Sequence, residues 1–385
     1  MRIAYVGDFI NHGKSLQTFG TSIVILLSLL ENVDSIDVFC PEENENTESF
    51  EVPQKVKLFE FYKYNNSISL FRLLKVQWHD YDVVIFNMLP TGYGNRTVPN
   101  ALALITPIIL KVMFKQNKIK VIYHNSIFTN DIQTLGYNST FDRIRSLFLG
   151  IVERALYKKV VTFVLLAFYK QKIDARLAKN KVQVLNSRYL EAITTLYVNK
   201  ELNNEWIISK NKKVPIILMH GSWGPQKNIE LGLNVAKKLK AEGLKFKLII
   251  SGSVNLHFPQ YKIKFQEILN SYSYVFDSYL GTVSERDIMK IFLDTSCLIM
   301  PYNAPGGHSG VLEQAIFFEV PTAAMDFREY MEQAEGISFV KLIDSEDGFK
   351  LAIRELLLCS NIKNIEINIR DKIKQTLENI QKLIE

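Results

Sequence analysis

Short runs of uninterrupted apolar residues alternate with longer amphipathic stretches along the whole chain. This alternation confines the fold to parallel sheets with helical crossovers. In the first half the predicted strands are RIAYV (2–6), IDVFC (36–40), KVKLFEF (55–61), DVVIFNM (82–88), KVIYH (120–124), VVTFVLL (160–166) and KVQVL (181–185). Helical patterns fill 21–31, 99–115, 140–157 and 168–177. Each strand lacks the polar alternation of a half-wet sheet, so helices are expected on both faces. Near 195 the rhythm breaks, and 197–213 is polar and basic, which reads as a linker. A second series follows, with strands at 215–221, 245–251, 274–281, 296–302, 320–326 and 337–343 and helices at 226–242, 259–270, 284–293, 309–318 and 346–358. The tail, 361–385, reads as one more amphipathic helix. The expected organisation is α/β, with two doubly wound Rossmann-like domains, 1–196 and 214–360, facing a cleft, and ligands at the strand C-termini.

The chain has 385 residues, enough for two cores, and its 47% hydrophobic and 22% charged composition excludes a disordered protein. A net charge of +6 suits nucleotide diphosphates or an anionic membrane face and is too small to argue for nucleic acid. Cys40, Cys297 and Cys359 lie far apart, and no histidine pair has metal-ligand spacing, so neither a disulfide framework nor a metal site is expected. The opening MRIAYVGDF reads as a buried strand rather than a signal peptide, and the longest apolar run, 101–110, is too short to span a bilayer. A cytoplasmic protein is expected. The segments 61–78 and 99–120 join apolar surface to lysines and suit either a membrane face or helices packed on the sheet.

The second half carries the chemistry in four pieces. In HGSWGPQKNIELGLNVAKKL (220–239) a strand ends at Gly221 and Lys227 stands at the start of a helix, where a diphosphate finds both amide dipoles and a positive charge. A solvated loop with a surface lysine gives the same pattern. In LIISGS (248–253), Gly252 allows close approach of backbone. In YLGTVSERDIMKIF (279–292), the backbone of Thr282 and Val283 is placed to pair with the edge of a nucleobase. In PYNAPGGHSGVLEQAIFFEVPTAAMD (301–326), Gly306, Gly307, His308 and Ser309 lead into a helix whose first amides, at Gly310 and Val311, form a phosphate cradle. Glu313 follows one turn later, suited to a ribose diol or simply to the first turn of its helix.

Taken in order, Gly-x-x-x-Pro-x-Lys-Asn, strand-Gly, Leu-Gly-x-Val-Ser and Pro-Tyr…Ser-Gly-Val-Leu-Glu…Val-Pro resemble the GT-B glycosyltransferases of family 4 over about 215–330. The resemblance implies a retaining, metal-independent transferase using a nucleotide-diphosphate sugar, with no cofactor. It implies that Lys227, Gly310 and Val311 meet the donor phosphates, Glu313 the ribose, Thr282 and Val283 the base, and Gly307, His308 and Ser309 the donor sugar. It also implies that 361–385 crosses back to the N-terminal domain. Two positions depart from the pattern: Ser222 stands where the family has arginine, and Pro305 where it has the first glutamate of Glu-x7-Glu.

In the N-terminal half, the loop 7–20 carries Gly13 and Lys14, suited to an acceptor or to an ordinary mobile surface. His124 ends a strand at the edge where open α/β sheets bind ligands, and the resemblance places there a histidine touching the donor sugar, which makes His124 and Lys227 the expected catalytic residues. The expected partners are a nucleotide-sugar donor, a glycan or lipid-linked acceptor and, peripherally, the membrane. A UDP-sugar epimerase of the same two-domain fold and a non-catalytic nucleotide-binding relative remain alternatives.

Overall fold

The computed structural model describes residues 1–11, 16–42, 50–64, 66–89, 97–113, 118–128, 140–202, 206–209, 214–255, 258–305, 307–360 and 364–385. The chain forms two compact units, Met1–Val198 with Ile373–Glu385, and Asn199–Lys372.

In chain order the first unit contains β1 (Arg2–Val6), α1 (Gln17–Leu29), β2 (Ser35–Pro41), β3 (Val56–Tyr62), α2 (Ser67–Leu70), β4 (Val83–Met88), α3 (Thr97–Met113), β5 (Ile119–Tyr123), α4 (Thr140–Lys159), β6 (Val161–Val164), α5 (Ala167–Arg176), β7 (Val182–Val184) and α6 (Leu190–Val198). Among the described residues seven strands join in the order β3-β2-β1-β4-β5-β6-β7, every pair parallel. The order reverses between β1 and β4, whose register runs Ile3 to Val83 and Val6 to Phe86. Every residue of β4 is buried, which is why its sequence shows no alternation. On one face α1 packs on α6, and on the other α3 packs on α4. Phe39, Trp78, Phe86 and Leu104 share the core beneath the second face.

The sequence reading begins α1 at 21, after Gly20, yet the helix starts at Gln17. Gly20 is retained inside it because a Cβ there would stand 2.2 Å from the carbonyl oxygen of Asp8, so the residue allows helix and β1 loop to touch rather than breaking the helix. The described residues of the segments 61–78 and 99–120 divide between core and surface. Leu70, Leu73, Trp78, Leu104 and Leu110 are buried in the core, and Ile68, Phe71, Val112 and Met113 are exposed.

The second unit contains β8 (Trp206–Ser209), β9 (Ile216–His220), α7 (Ile229–Ala241), β10 (Lys247–Ser251), α8 (Tyr261–Ser271), β11 (Ser278–Tyr279), α9 (Glu285–Asp294), β12 (Cys297–Met300), α10 (Gly310–Phe317), β13 (Thr322–Met325), α11 (Arg328–Gln333), β14 (Val340–Ile343), α12 (Glu346–Ser360) and β15 (Asn364–Ile367), followed by α13 (Ile369–Gln381). Six of its described strands form a parallel sheet in the order β11-β10-β9-β12-β13-β14, so the order reverses between β9 and β12. These are Rossmann-like sheets, with ligand crevices expected where the order reverses.

Two readings change. The run 274–281 contributes only Ser278–Tyr279 as strand: its start closes α8 through the Val275 amide bonded to the Tyr272 carbonyl, and a strand at the sheet edge needs few pairs. The segments read as linker and as a single tail helix each contribute a strand, because Asn364–Ile367 pairs antiparallel with Trp206–Ser209. A two-stranded pairing needs both partners present, so neither strand is visible in a local window.

Candidate functional site

The loops leaving β9, β10, β11 and β12 converge at the C-terminal edge of the second sheet. Gly252, after β10, has φ 99°, and a Cβ on it would stand 1.8 Å from the Gly221 carbonyl oxygen, so only glycine lets these loops close on each other. The Gly252 amide donates to the Gly281 carbonyl at 2.5 Å, which ties in the β11 loop. Gly221 in turn faces the β12 side, since a Cβ on it would lie 3.4 Å from the Tyr302 hydroxyl and 3.8 Å from Val311 Cγ2. The Asn303 amide donates to the Gln226 carbonyl at 3.0 Å. Four chain segments that are distant in sequence thus meet at the reversal between β9 and β12.

Lys227 closes a single 3-10 turn, Pro225–Lys227, and Asn228 after it adopts a left-handed conformation (φ 45°) that redirects the chain into α7. The lysine is half-buried, and its Nζ lies 3.6 Å from the centroid of the Tyr302 ring, a cation–π seat. Among the described residues no carboxylate pairs with this ammonium at salt-bridge distance. Desolvation therefore acts uncompensated and pulls its pKa down to about 7. Behind it, His220 meets the Ser251 hydroxyl at 2.8 Å. Burial, with the charge of Lys227 second, lowers the His220 pKa to about 4, so this imidazole is neutral near pH 7. Tyr302 is buried, burial raises its phenol well above the ordinary range, and its hydroxyl donates to the His220 carbonyl at 3.4 Å.

α10 begins close to Gly221, a Cβ on which would lie 3.8 Å from Val311 Cγ2. Ser309 caps it, its hydroxyl accepting from the Leu312 amide at 3.3 Å, and Gln333 holds Ser309 in place by accepting from its amide at 2.9 Å and donating to its carbonyl at 3.2 Å. Among the described residues the amides of Gly310 and Val311 have no acceptor, which leaves two N–H groups at the positive end of the helix for an anion. Glu313 and His308 form a buried pair, Nε2 to Oε1 2.9 Å. The ribose candidate and one sugar candidate are therefore in contact with each other, a pairing five residues apart that the sequence reading did not make. Gly307 is also buried here. Pro305 accepts a bond from the Tyr330 hydroxyl at 3.2 Å through its carbonyl, a structural use of the position where the resembled family has a carboxylate. Ser222 is exposed.

On the other side of the convergence, the peptide groups of Thr282 and Val283 make no hydrogen bond among the described residues. Ser284 then caps α9, its hydroxyl accepting from the Asp287 amide at 3.2 Å. Thr282, Val283, Lys227, Gly307, His308 and Ser309, with Gly310, Val311 and Glu313 in the first turn of α10, thus follow strands of the second sheet whose C-terminal loops converge.

His124 belongs to the first unit. It follows β5, is buried, meets Asn87 Oδ1 at 2.8 Å through Nε2 and packs edge-on against Phe19 at 4.4 Å. The segment after it is held by Glu153 of α4, which accepts from the Tyr123 and Ser126 hydroxyls and from the Ile127 and Phe128 amides. Burial raises the pKa of this carboxyl, against those four bonds. The sequence reading missed Asn87 and Glu153. Their signals were a polar residue inside the apolar run VVIFNM and a lone acid on the buried face of α4. Gly13 and Lys14 lie outside the described residues.

Among the described residues no group of three or more His, Cys, Asp or Glu side chains is placed to hold a metal ion, and no helix is long and apolar enough to cross a membrane.

No protein-family model matches the chain, and no curated protein matches it by sequence. Solved structures do match over the whole length. Sucrose-phosphate synthase from Thermosynechococcus elongatus aligns with a TM-score of 0.65 at 13% identity, covering 100% of this chain and 95% of that one. Anabaena HepE in complex with UDP-glucose aligns at 0.58 and 11% identity, covering 98% and 99%. UDP-GlcNAc 2-epimerase from Neisseria meningitidis bound to UDP-GlcNAc aligns at 0.55 and 13% identity, covering 99% and 100%. At such identities the likeness establishes the fold, two Rossmann-like domains of the GT-B type.

Proposed function

We propose that the chain is a glycosyltransferase that moves a sugar from a nucleotide diphosphate to a hydroxyl of a glycan or lipid-linked acceptor, and that its second unit holds the donor. The observation that carries this reading is the convergence at the β9–β12 reversal. A lysine without a carboxylate partner among the described residues sits over Tyr302, the start of α10 with its two open amides comes up to Gly221, and a turn with open peptide groups is tied in through the Gly221–Gly252 contact. Cleaving the bond between sugar and diphosphate leaves charge on the departing phosphate. Stabilising that charge is the main task in such a transfer. Lys227 and the amides of Gly310 and Val311 supply it without a metal ion. Glu313, oriented by His308, takes the ribose, Thr282 and Val283 take the base, and Gly307, His308 and Ser309 border the sugar. His124 serves the transfer from the first unit. Retention at the anomeric carbon and membership of family 4 follow from the sequence resemblance and form part of the proposal, as do a cytoplasmic location and peripheral contact with the membrane.

The matching epimerase structure keeps a second reading in view, in which the sugar nucleotide is epimerised rather than spent. Incubation with a panel of sugar nucleotides separates the two. Release of nucleoside diphosphate that requires an acceptor supports the transferase, and an epimerised sugar nucleotide formed without any acceptor overturns it.

A further inference from the structure

The outer face of α4 has a composition that water alone does not favour. Glu153, Leu149, Val152, Leu156 and Tyr157 turn into the core. On the opposite side Ile144, Leu147, Phe148 and Ile151 are 62, 72, 48 and 65% exposed. Their spacing of three, four and seven residues places them in one stripe on two successive turns. Four large apolar side chains in one exposed stripe mark a surface that meets something other than water. The same outer face carries Arg143, Arg154, Lys158 and Lys159, all exposed. Among the described side chains of α4 the one carboxylate, Glu153, is buried. The exposed face is therefore an apolar stripe flanked by basic residues, most of them in the second half of the helix, and free of described negative charge.

We infer that this face of α4 is the surface by which the protein docks on an anionic lipid bilayer, with Ile144, Leu147, Phe148 and Ile151 entering the headgroup–acyl boundary and Lys158 and Lys159 meeting lipid phosphates. The charge pattern selects this occupant. A second copy of the same face would bring no described carboxylate to neutralise these cations, whereas an anionic surface neutralises them and accepts the apolar stripe in one contact. The helix has 20 residues, about 30 Å, and lies along the surface rather than through it. Its buried face is fixed on the sheet, so the stripe is presented already folded. The inference deepens the membrane contact proposed above and names its site. It needs no donor or acceptor, so it stands or falls apart from the transferase reading.

The test is flotation of the full chain with vesicles of pure phosphatidylcholine and with vesicles containing about a third phosphatidylglycerol. The variants are Leu147→Ser with Ile151→Ser, and Lys158→Glu with Lys159→Glu. These side chains are exposed, so circular dichroism and melting temperature should match the wild type. The wild type should float with anionic vesicles, weakly with neutral ones, and lose binding as salt rises. Each basic residue near an anionic surface accounts for about a fivefold change in partitioning, so the lysine pair should lower it at least about 25-fold. Each lost apolar side chain should lower it about tenfold. Failure of the wild type to bind anionic vesicles overturns the inference. So does binding that both variants retain, and so does a wild-type dimer that the Leu147/Ile151 variant dissociates while neither binds lipid.

Discussion

The low pKa of Lys227 makes donor binding depend on pH with a sign and size that follow from the site. Burial holds the free lysine near pKa 7. An anionic diphosphate beside it favours the charged form and raises its pKa in the complex. Between those two values the donor must bring a proton in with it, so affinity falls as pH rises. With a pKa of about 7, roughly 90% of the free protein carries the ammonium at pH 6 and about 3% at pH 8.5, which weakens binding about 30-fold across the interval. The ligand should be an intact sugar nucleotide, because its diphosphate is esterified at both ends and does not titrate near pH 6 as a terminal phosphate does. His220, at about 4, stays neutral throughout. Lys227→Arg supplies the control, since a guanidinium stays charged over the whole range. Isothermal titration from pH 6 to 8.5 should show the slope in the wild type and a flat profile in the arginine variant. A flat wild-type profile, or a slope that survives in the variant, refutes the reasoning. The same shift predicts that, relative to Lys227→Met, the wild type gains stability as pH rises from 7 to 10.5, because over that window the unfolded chain binds the extra proton.

Glu313→Gln retains an acceptor for His308 but loses the charge that a ribose diol meets, so donor affinity should fall at least about tenfold with the fold intact. Normal affinity in the variant would make Glu313 a structural partner of His308 only. Gly252→Ala places a Cβ on the Gly221 carbonyl oxygen at a positive φ and should cost about 1–3 kcal/mol from overpacking alone. An unchanged melting temperature would contradict the close approach. If, as proposed, Lys227 and the α10 amides neutralise the leaving phosphate, turnover should persist in excess chelator. Complete loss restored by a divalent ion would overturn the metal-independent part of the proposal.

The strands flanking each reversal are legible because they are buried on both faces. β4 is buried at all six positions and β12 at all four, and both are apolar at nearly every one. β11, β15 and β8 are not legible, because two to four residues pairing at an edge carry no period of their own. The site divides the same way. Lys227, Gly310 and Glu313 stand in local motifs, where a strand end or a helix start announces them. Tyr302 beneath the lysine, His308 against Glu313 and Glu153 beneath the segment after His124 act across elements, and only the fold brings their partners to them. Gly252 lies between, since its glycine was visible but the carbonyl that requires it is 31 residues away.

The claim that the β9–β12 reversal holds a nucleoside diphosphate is tested most directly by a thermal-shift series of UDP, GDP, ADP and CDP on the wild type and on Lys227→Ala. A ligand at 100 times its Kd adds about 2.7 kcal/mol of stability. The account predicts that at least one of these diphosphates raises the wild-type melting temperature. Loss of a charge-assisted phosphate contact, about 1.5–3 kcal/mol, should then demand about 10- to 150-fold more ligand in the variant for the same shift. A wild type that none of the four stabilises, or a variant that responds at the same concentrations, would contradict it.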